Sequence, residues 1–334
     1  MKAIQFLGMT AFMAAMLTGC SNDSDLAHSN FPDDNIIRVT AGVNGAVTRA
    51  ETEELNSNFS LTVVNKDPLK ENERDNKYTY GNMFFKKTGT EWICNDILLW
   101  QDAETKVDVA ALAPAIDEMT FRKSYDSWNE KITTMEYSIT ADQTTQSVAN
   151  DLLYYYKSDL VPKDALNSDG KLDIQFNHAF SMIDIIVTLG TEYSNKENPI
   201  NKVIVGGSKL KATIDVANSE GYGVAYPSES GNNPETDIIT TPGEFTMATT
   251  DHSTAKFSCI LIPQTIDANK FKVTLKTSSK TYVWTSPSAI TLKTGHKYTL
   301  ALTMGRDKLT AQKGNISAGF WTEGTGSGST LGTK

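Results

Sequence analysis

Apolar side chains recur at every second position in segment after segment of this chain. Leu210, Ala212, Ile214 and Val216 alternate with Lys211, Thr213 and Asp215. Phe271, Val273 and Leu275 alternate with Lys272 and Thr274, and Tyr298, Leu300, Leu302 and Met304 with Thr299, Ala301 and Thr303. A period of two puts apolar groups on one side of a pleated ribbon and polar ones on the other, so each segment reads as a strand. Further short runs at 36–40, 61–64, 92–94, 107–112 and 183–189 are rich in β-branched or aromatic residues. Thr88-Gly89, Asn167-Ser168-Asp169-Gly170 and Gly206-Gly207 punctuate them with turn chemistry. Many short strands separated by turns predict an all-β architecture of sandwich type.

One segment competes with that pattern. Ser147 can cap a short helix in which Val148, Leu152 and Tyr155 share a face, ending near Lys157. Val161-Pro162 follows, and alternation resumes at Leu172, which predicts a domain boundary between 158 and 171. The span 219–244, rich in Gly, Ser, Asn, Pro and Thr, reads as a long surface loop or irregular edge.

The N-terminus is read apart from the fold. Lys2 precedes an apolar run at 4–17, and Leu17-Thr18-Gly19-Cys20 has the pattern cut by lipoprotein signal peptidase. The run is too short for a comfortable transmembrane helix and carries signal-peptide flanks. The expectation is an exported protein with acyl chains on Cys20, held at a membrane surface with none of its fold in the bilayer. Residues 21–35 are polar and acidic and contain Pro32, as a flexible tether would be. Acidic residues close to Cys20 resemble signals that send lipoproteins of Gram-negative bacteria to the outer face. The expected plan is a signal peptide at 1–20, a tether at 21–35, sandwich domains at 36–165 and 166–322, and a flexible Gly/Ser/Thr tail at 323–334.

With 334 residues, 39% of them hydrophobic, the chain has material for two domains with sizeable cores. Lys and Arg number 31 against 40 Asp and Glu, a formal net charge of -9 with no basic patch, which argues against nucleic acid as a partner. Cys94 and Cys259 lie in different halves of the chain, and two buried thiols outweigh a disulfide.

No catalytic motif survives inspection, and no cofactor or metal is expected. His28, His178, His252 and His296 are isolated from zinc-type partners. His178, within Phe176-Asn177-His178-Ala179-Phe180, reads as a packed or edge-strand histidine rather than a ligand. Asn167-Ser168-Asp169-Gly170 echoes half a calcium loop, but its first and twelfth positions would be Ala165 and Phe176, which cannot serve; a tight turn explains it. Gly206-Gly207 reads as a turn between strands, not a phosphate loop. Carboxylate pairs for glycoside hydrolysis leave no spacing signal, and 40 acids always offer a plausible pair. Tyr154, Tyr155 and Tyr156 could stack on sugars, but read better as a half-buried helix face. The acceptor patterns at Asn58 and Asn315 carry little weight in a bacterial lipoprotein.

Segments spread over 36–321 together resemble the fimbrillin family, the subunits of lipoprotein-derived pili of gut and oral Gram-negative bacteria. Ile36-Ile37-Arg38-Val39 followed by Val47-Thr48-Arg49-Ala50 resembles the family's first strand and the Thr-Arg after it. Leu98-Leu99-Trp100, Val107-Asp108-Val109-Ala110 and Ala113-Pro114 resemble its tryptophan-strand-proline run. Asp151-Leu152-Leu153 and then Phe176-Asn177-His178-Ala179-Phe180-Ser181 are similar to the opening of its second domain. Leu261-Ile262-Pro263-Gln264-Thr265, Thr294-Gly295-His296-Lys297-Tyr298 and the run 316–321 follow in the family's order. Met182 departs from the pattern, where many members carry a basic residue.

The resemblance implies two transthyretin-like Greek-key sandwiches in tandem and a non-enzymatic role as a fimbrial subunit, with adhesion as its purpose. It implies assembly by strand exchange: a trypsin-like protease cuts after an Arg beyond the first strand, that strand leaves, and a β-segment of another subunit fills the groove. Carried onto this chain, the cut falls at Arg49 and the displaced strand includes Ile36, Ile37, Arg38, Val39 and Thr40. The implied partners are other fimbrial subunits, the processing protease, a host or bacterial surface ligand, and the outer membrane through lipid on Cys20 before cleavage. The Gly-rich end offers no long donor strand, which points to a tip or accessory place rather than the shaft. The competing expectation is a surface glycan-binding lipoprotein of a polysaccharide uptake system, for which the sequence shows no clear platform of coplanar aromatics.

Overall fold

The computed structural model describes residues 30–44, 53–66, 78–115, 134–145, 150–193, 196–248 and 252–321, apart from the side chains of 312–315. Among these residues the fold is nearly all β, as the alternation predicts. The first part of the chain supplies β1 (Val39–Val43), β2 (Glu53–Glu54), β3 (Phe59–Asn65), β4 (Tyr80–Thr88), β5 (Glu91–Cys94), β6 (Val107–Ala113) and β7 (Thr134–Ser138). β8 (Leu153–Leu160), a four-residue helix α1 (Pro162–Ala165), β9 (Leu172–His178) and β10 (Ser181–Leu189) occupy the middle. Then come β11 (Ile200–Ser208), β12 (Lys211–Asp215), β13 (Ala225–Pro227), β14 (Thr236–Ile239), β15 (Thr241–Thr246) and β16 (Thr254–Leu261). The chain closes with β17 (Thr265–Ile266), β18 (Lys272–Thr277), β19 (Thr281–Thr285), β20 (Ile290–Thr291), β21 (His296–Met304) and β22 (Leu309–Phe320).

An eight-stranded sheet in the order β2-β1-β9-β8-β6-β3-β4-β5 carries the first part of the molecule. The remainder folds into sheets ordered β15-β16-β10-β21-β22, β14-β11-β18-β19 and β13-β12-β7, with a small β17-β20 pair. The strand β9, beyond the expected boundary at 165/166, therefore lies inside the first sheet, and β7, before it, pairs with β12.

Two apolar cores follow from the alternation. The first gathers Phe59, Leu61 and Val63 of β3, Val107, Val109, Ala111 and Ala113 of β6, and Leu172, Ile174 and Phe176 of β9. Phe59 anchors it, stacked on Phe85 at 5.1 Å and edge-on to Trp92 at 5.0 Å and Phe176 at 5.5 Å between ring centroids. The second core takes Ile183, Ile185, Val187 and Leu189 of β10, with apolar positions of β11, β12, β16, β18 and β21 packed around them. β6 and β8 face both cores. Ala110 and Leu112 of β6 turn away from their neighbours into the second core, as do Tyr154 and Tyr156 of β8, while Leu153 and Tyr155 turn to the first. Two-sided burial of a sheet's central strands produces this, since successive side chains leave opposite faces. The chain passes from one core to the other at 176–180, where Phe176 ends the first and Ala179 and Phe180 begin the second.

Two local expectations are corrected. The helix expected to run from Ser147 to Lys157 is overturned from Leu153 onward by β8; residues 146–149 lie outside the described residues. Ladder pairing to β6, with Leu112 opposite Tyr154 and Ala111 opposite Tyr155, overrides the i, i+3 apolar spacing. The helix near the expected junction is instead α1, with Pro162 in its first turn, where a missing N–H costs nothing. Gly206-Gly207 is not a turn between strands but part of β11, at a register irregularity opposite β14. Gly207 sits at φ +93°, and a Cβ there would stand 2.6 Å from the Lys270 carbonyl, so only glycine fits the bulge. Of the two forms expected for the span 219–244, the structure shows the irregular edge: β13, β14 and the start of β15 each lie at the end of a sheet.

Candidate functional site: the first strand and its seat

Residues 36–43 form a two-part ribbon. Ile36 bridges Leu99, the Ile37 amide donates to the Leu98 carbonyl at 2.8 Å, and the Trp100 amide donates to Asn35 at 2.8 Å. From Val39 the ribbon becomes β1 and runs parallel to β9, with Val39 opposite Leu172 and Val43 opposite Phe176. Backbone bonds bracket this ladder: the Leu172 amide donates to Arg38 at 2.8 Å and the Asn44 amide to Phe176 at 2.7 Å. On the other side of β1 only Gly42 and Val43 pair with β2.

Ile37, Val39 and Val43 are buried in the first core, at 5%, 2% and 7% exposure. The opposite face is polar and specific. Thr40 donates to Asp173 at 2.8 Å, and Asn44 donates to the Asn177 side-chain oxygen at 3.0 Å. Arg38 grips Asp34 through both carboxylate oxygens at 2.9 and 2.6 Å, and that hydrogen-bonded pair holds the Asp34 carboxyl down at about 2. Asn30, read as tether, donates to the Leu166 carbonyl at 3.3 Å. Ile36, Ile37, Arg38, Val39 and Thr40 are thus brought together at one side of the first sheet; Arg49 and Cys20 lie outside the described residues.

The other residues weighed for chemistry have structural settings. His178 is packed: its ring lies on Trp321 at 3.8 Å between centroids, and its Nδ1 meets the Asp151 carboxylate at 2.8 Å. Cys94 and Cys259 are both free thiols, the first half-buried and the second buried, and burial pushes both upward from the ordinary thiol range. Asn167 closes a turn by accepting from the Asp169 and Lys171 amides, each at 3.0 Å. Among the described residues no three His, Cys, Asp or Glu side chains are grouped to hold a metal, and no helix is long and apolar enough to cross a membrane. Sequence reading missed the polar lock of Thr40 on Asp173 and Asn44 on Asn177. The signal was present in the alternation of Asp173, Gln175 and Asn177 with Leu172, Ile174 and Phe176.

The family model for fimbrillin-like proteins matches residues 48–318. The chain belongs to the fimbrillin-like family. No curated protein matches the chain. Among solved structures, this fimbrillin-like chain is similar to a candidate cell adhesion protein of Bacteroides ovatus, at 17% identity and a TM-score of 0.58, over 85% of this chain and 98% of that one. It is also similar to a fimbrial protein of Bacteroides vulgatus, at 16% identity and a TM-score of 0.54, over 86% of this chain and 99% of that one. These likenesses extend the shared fold across nearly the whole length of both relatives.

Proposed function

We propose that this fimbrillin-like chain is a non-enzymatic subunit of a cell-surface fimbrium, exported as a lipoprotein and joined to its neighbours by exchange of its first strand. In this reading lipid on Cys20 holds the subunit at the outer membrane, and two transthyretin-like sandwiches form its body, the first extending through β9 to the change of core at 176–180. A trypsin-like protease cuts after Arg49, β1 departs with the lipid, and a strand of another subunit takes its seat. The subunit serves adhesion from a tip or accessory place.

The observation that carries the reading is the seat of β1. Along Val39–Ala41 it rests on β9, and among the described residues only Gly42 and Val43 are paired on the other side. Arg49 stands in the stretch between β1 and β2, where a cut severs β1 from the rest of the chain. Losing β1 uncovers Leu172, Ile174 and Phe176 and frees the β9 backbone edge. The buried side chains of Ile37, Val39 and Val43 are worth about 1.5–3 kcal/mol each, and each ladder bond about 1 kcal/mol net. That sum approaches the ~5–15 kcal/mol that holds an ordinary domain folded. A vacated seat therefore favours an incoming strand strongly, through main-chain bonds and refilled apolar pockets.

The test is limited trypsin digestion of the purified protein with sequencing of the new N-terminus. Cleavage after Arg49 followed by a ladder of SDS-resistant multimers is the expected result. A synthetic peptide spanning 36–44, added in excess, should compete for the seat and shorten the ladder, and Arg49→Ala should abolish it. Resistance at Arg49, or a cut protein that stays monomeric, overturns strand exchange in this subunit.

A further inference from the structure

We propose that the cleft beside β13 is a binding site for a neutral sugar. The cleft has a volume of about 570 Å³, within the ~300–1,000 Å³ range of small-ligand sites. Tyr222 and Tyr226 line it, together with Lys209, Glu220 and Glu229. None of these five side chains makes a hydrogen bond or ion pair with another described residue. Some phenols elsewhere are hydrogen-bonded, whereas Tyr154, Tyr155 and Tyr156, whose phenols also bond no other described residue, pack half-buried against the two cores. Tyr80 donates to Leu99, Tyr298 donates to Thr291, and Tyr193 meets Tyr282 at 2.7 Å.

The backbone that presents these groups is fixed before any ligand arrives. The Tyr222 carbonyl accepts from the Thr294 amide at 2.9 Å, and Tyr226 pairs with Thr213 in the β12–β13 ladder. Asn218 ties the intervening loop, donating to the Gly223 carbonyl at 2.9 Å and accepting from the Glu220 amide at 3.0 Å. Buried Ser228 donates to Glu136 of β7, which pins the chain just beyond β13. A preformed site loses little conformational freedom on binding.

The lining selects the ligand class. A cation would face the Lys209 ammonium, and an anion would face the carboxylates of Glu220 and Glu229. A neutral polyol satisfies all of them: its hydroxyls donate to the two carboxylates, while its oxygens accept from Lys209 and the phenols. Burial, with Asp215 and Glu229 adding to it, pushes the Tyr226 phenol upward, so it remains a donor. A pyranose adds apolar C–H faces that pack on aromatic rings, which a simple polyol lacks. None of the five residues belongs to β1 or β9, so the proposal does not depend on strand exchange.

The experiment is saturation-transfer NMR on the purified, uncut protein with glucose, galactose, mannose, N-acetylglucosamine and lactose, each titrated separately. At least one should give saturable transfer. Tyr226→Ala and Tyr222→Ala should weaken it by about tenfold, the loss expected when an aromatic stacking surface is removed. Glu229→Gln, at an exposed position just beyond β13, is the companion variant that leaves the fold intact and should also weaken binding. No transfer from any of the five sugars overturns the proposal. So does transfer of unchanged affinity in all three variants, or competition for the cleft by choline, acetate or a neutral acetylated peptide in place of sugars.

Discussion

Phe59 is fully buried and touches the rings of Phe85, Trp92 and Phe176, so it joins β3, β4, β5 and β9 through one side chain. Truncation leaves a cavity lined by rings that cannot collapse into it, and Phe59→Ala should lower stability by about 3–5 kcal/mol, read as a shift of the urea midpoint at constant slope. The Asp34–Arg38 pair differs in kind, since both side chains stay about half in water, at 46% and 41% exposure. Its effect on global stability falls within the small range of exposed ion pairs. Its titration is still readable. A carboxyl whose pKa is depressed on folding contributes above the unfolded value, here 3.8, and loses that contribution as pH falls through about 2. The Ile36 amide, which donates to Asp34 at 3.1 Å, should therefore titrate by NMR with a midpoint near 2, moving toward 3.8 in Arg38→Ala. The Tyr154-Tyr155-Tyr156 run, expected as a half-buried helix face, is half-buried but stands on strand β8. Their half-burial on alternate faces arises because β8 has a core on each side.

Strands with one buried face, such as β12, β18 and β21, stand where alternation places them, because a single core enforces a single period. Strands with two buried faces were harder to read. The central strand β6 carries apolar residues at nearly every position, and β8 mixes tyrosines with charge, so neither advertises its partners. The bulge in β11 reads as a turn in sequence, since Gly-Gly is permissive everywhere. Its place inside a strand depends on Lys270, more than sixty positions away. Gly207→Ala should cost about 1–3 kcal/mol by forcing a side chain into a positive-φ position against a carbonyl, whereas Gly89→Ala, at φ +63° with nothing within 4 Å, meets only the backbone term. Differential scanning calorimetry of the two variants separates these effects.

Across the whole molecule, the shared wall made by β6 and β8 couples the two cores. Leu112 belongs to the second core but stands on a strand whose other face closes the first. Leu112→Ala should remove about 2–5 kcal/mol and lower amide protection in β3 as well as β10; loss confined to β10 would mean that the cores open independently. The chain alone determined the all-β class, the segments that would alternate, and the membership that its ordered motifs announced. Those are local properties, set by the two-residue period of a strand and by turn residues. Which ribbon lies beside which was decided only in three dimensions: β1 on β9, Thr40 on Asp173, Asn44 on Asn177, and Tyr222 with Tyr226 around an open cleft. Register between segments more than a hundred positions apart is chosen by the joint burial of both faces, and no residue carries that choice by itself.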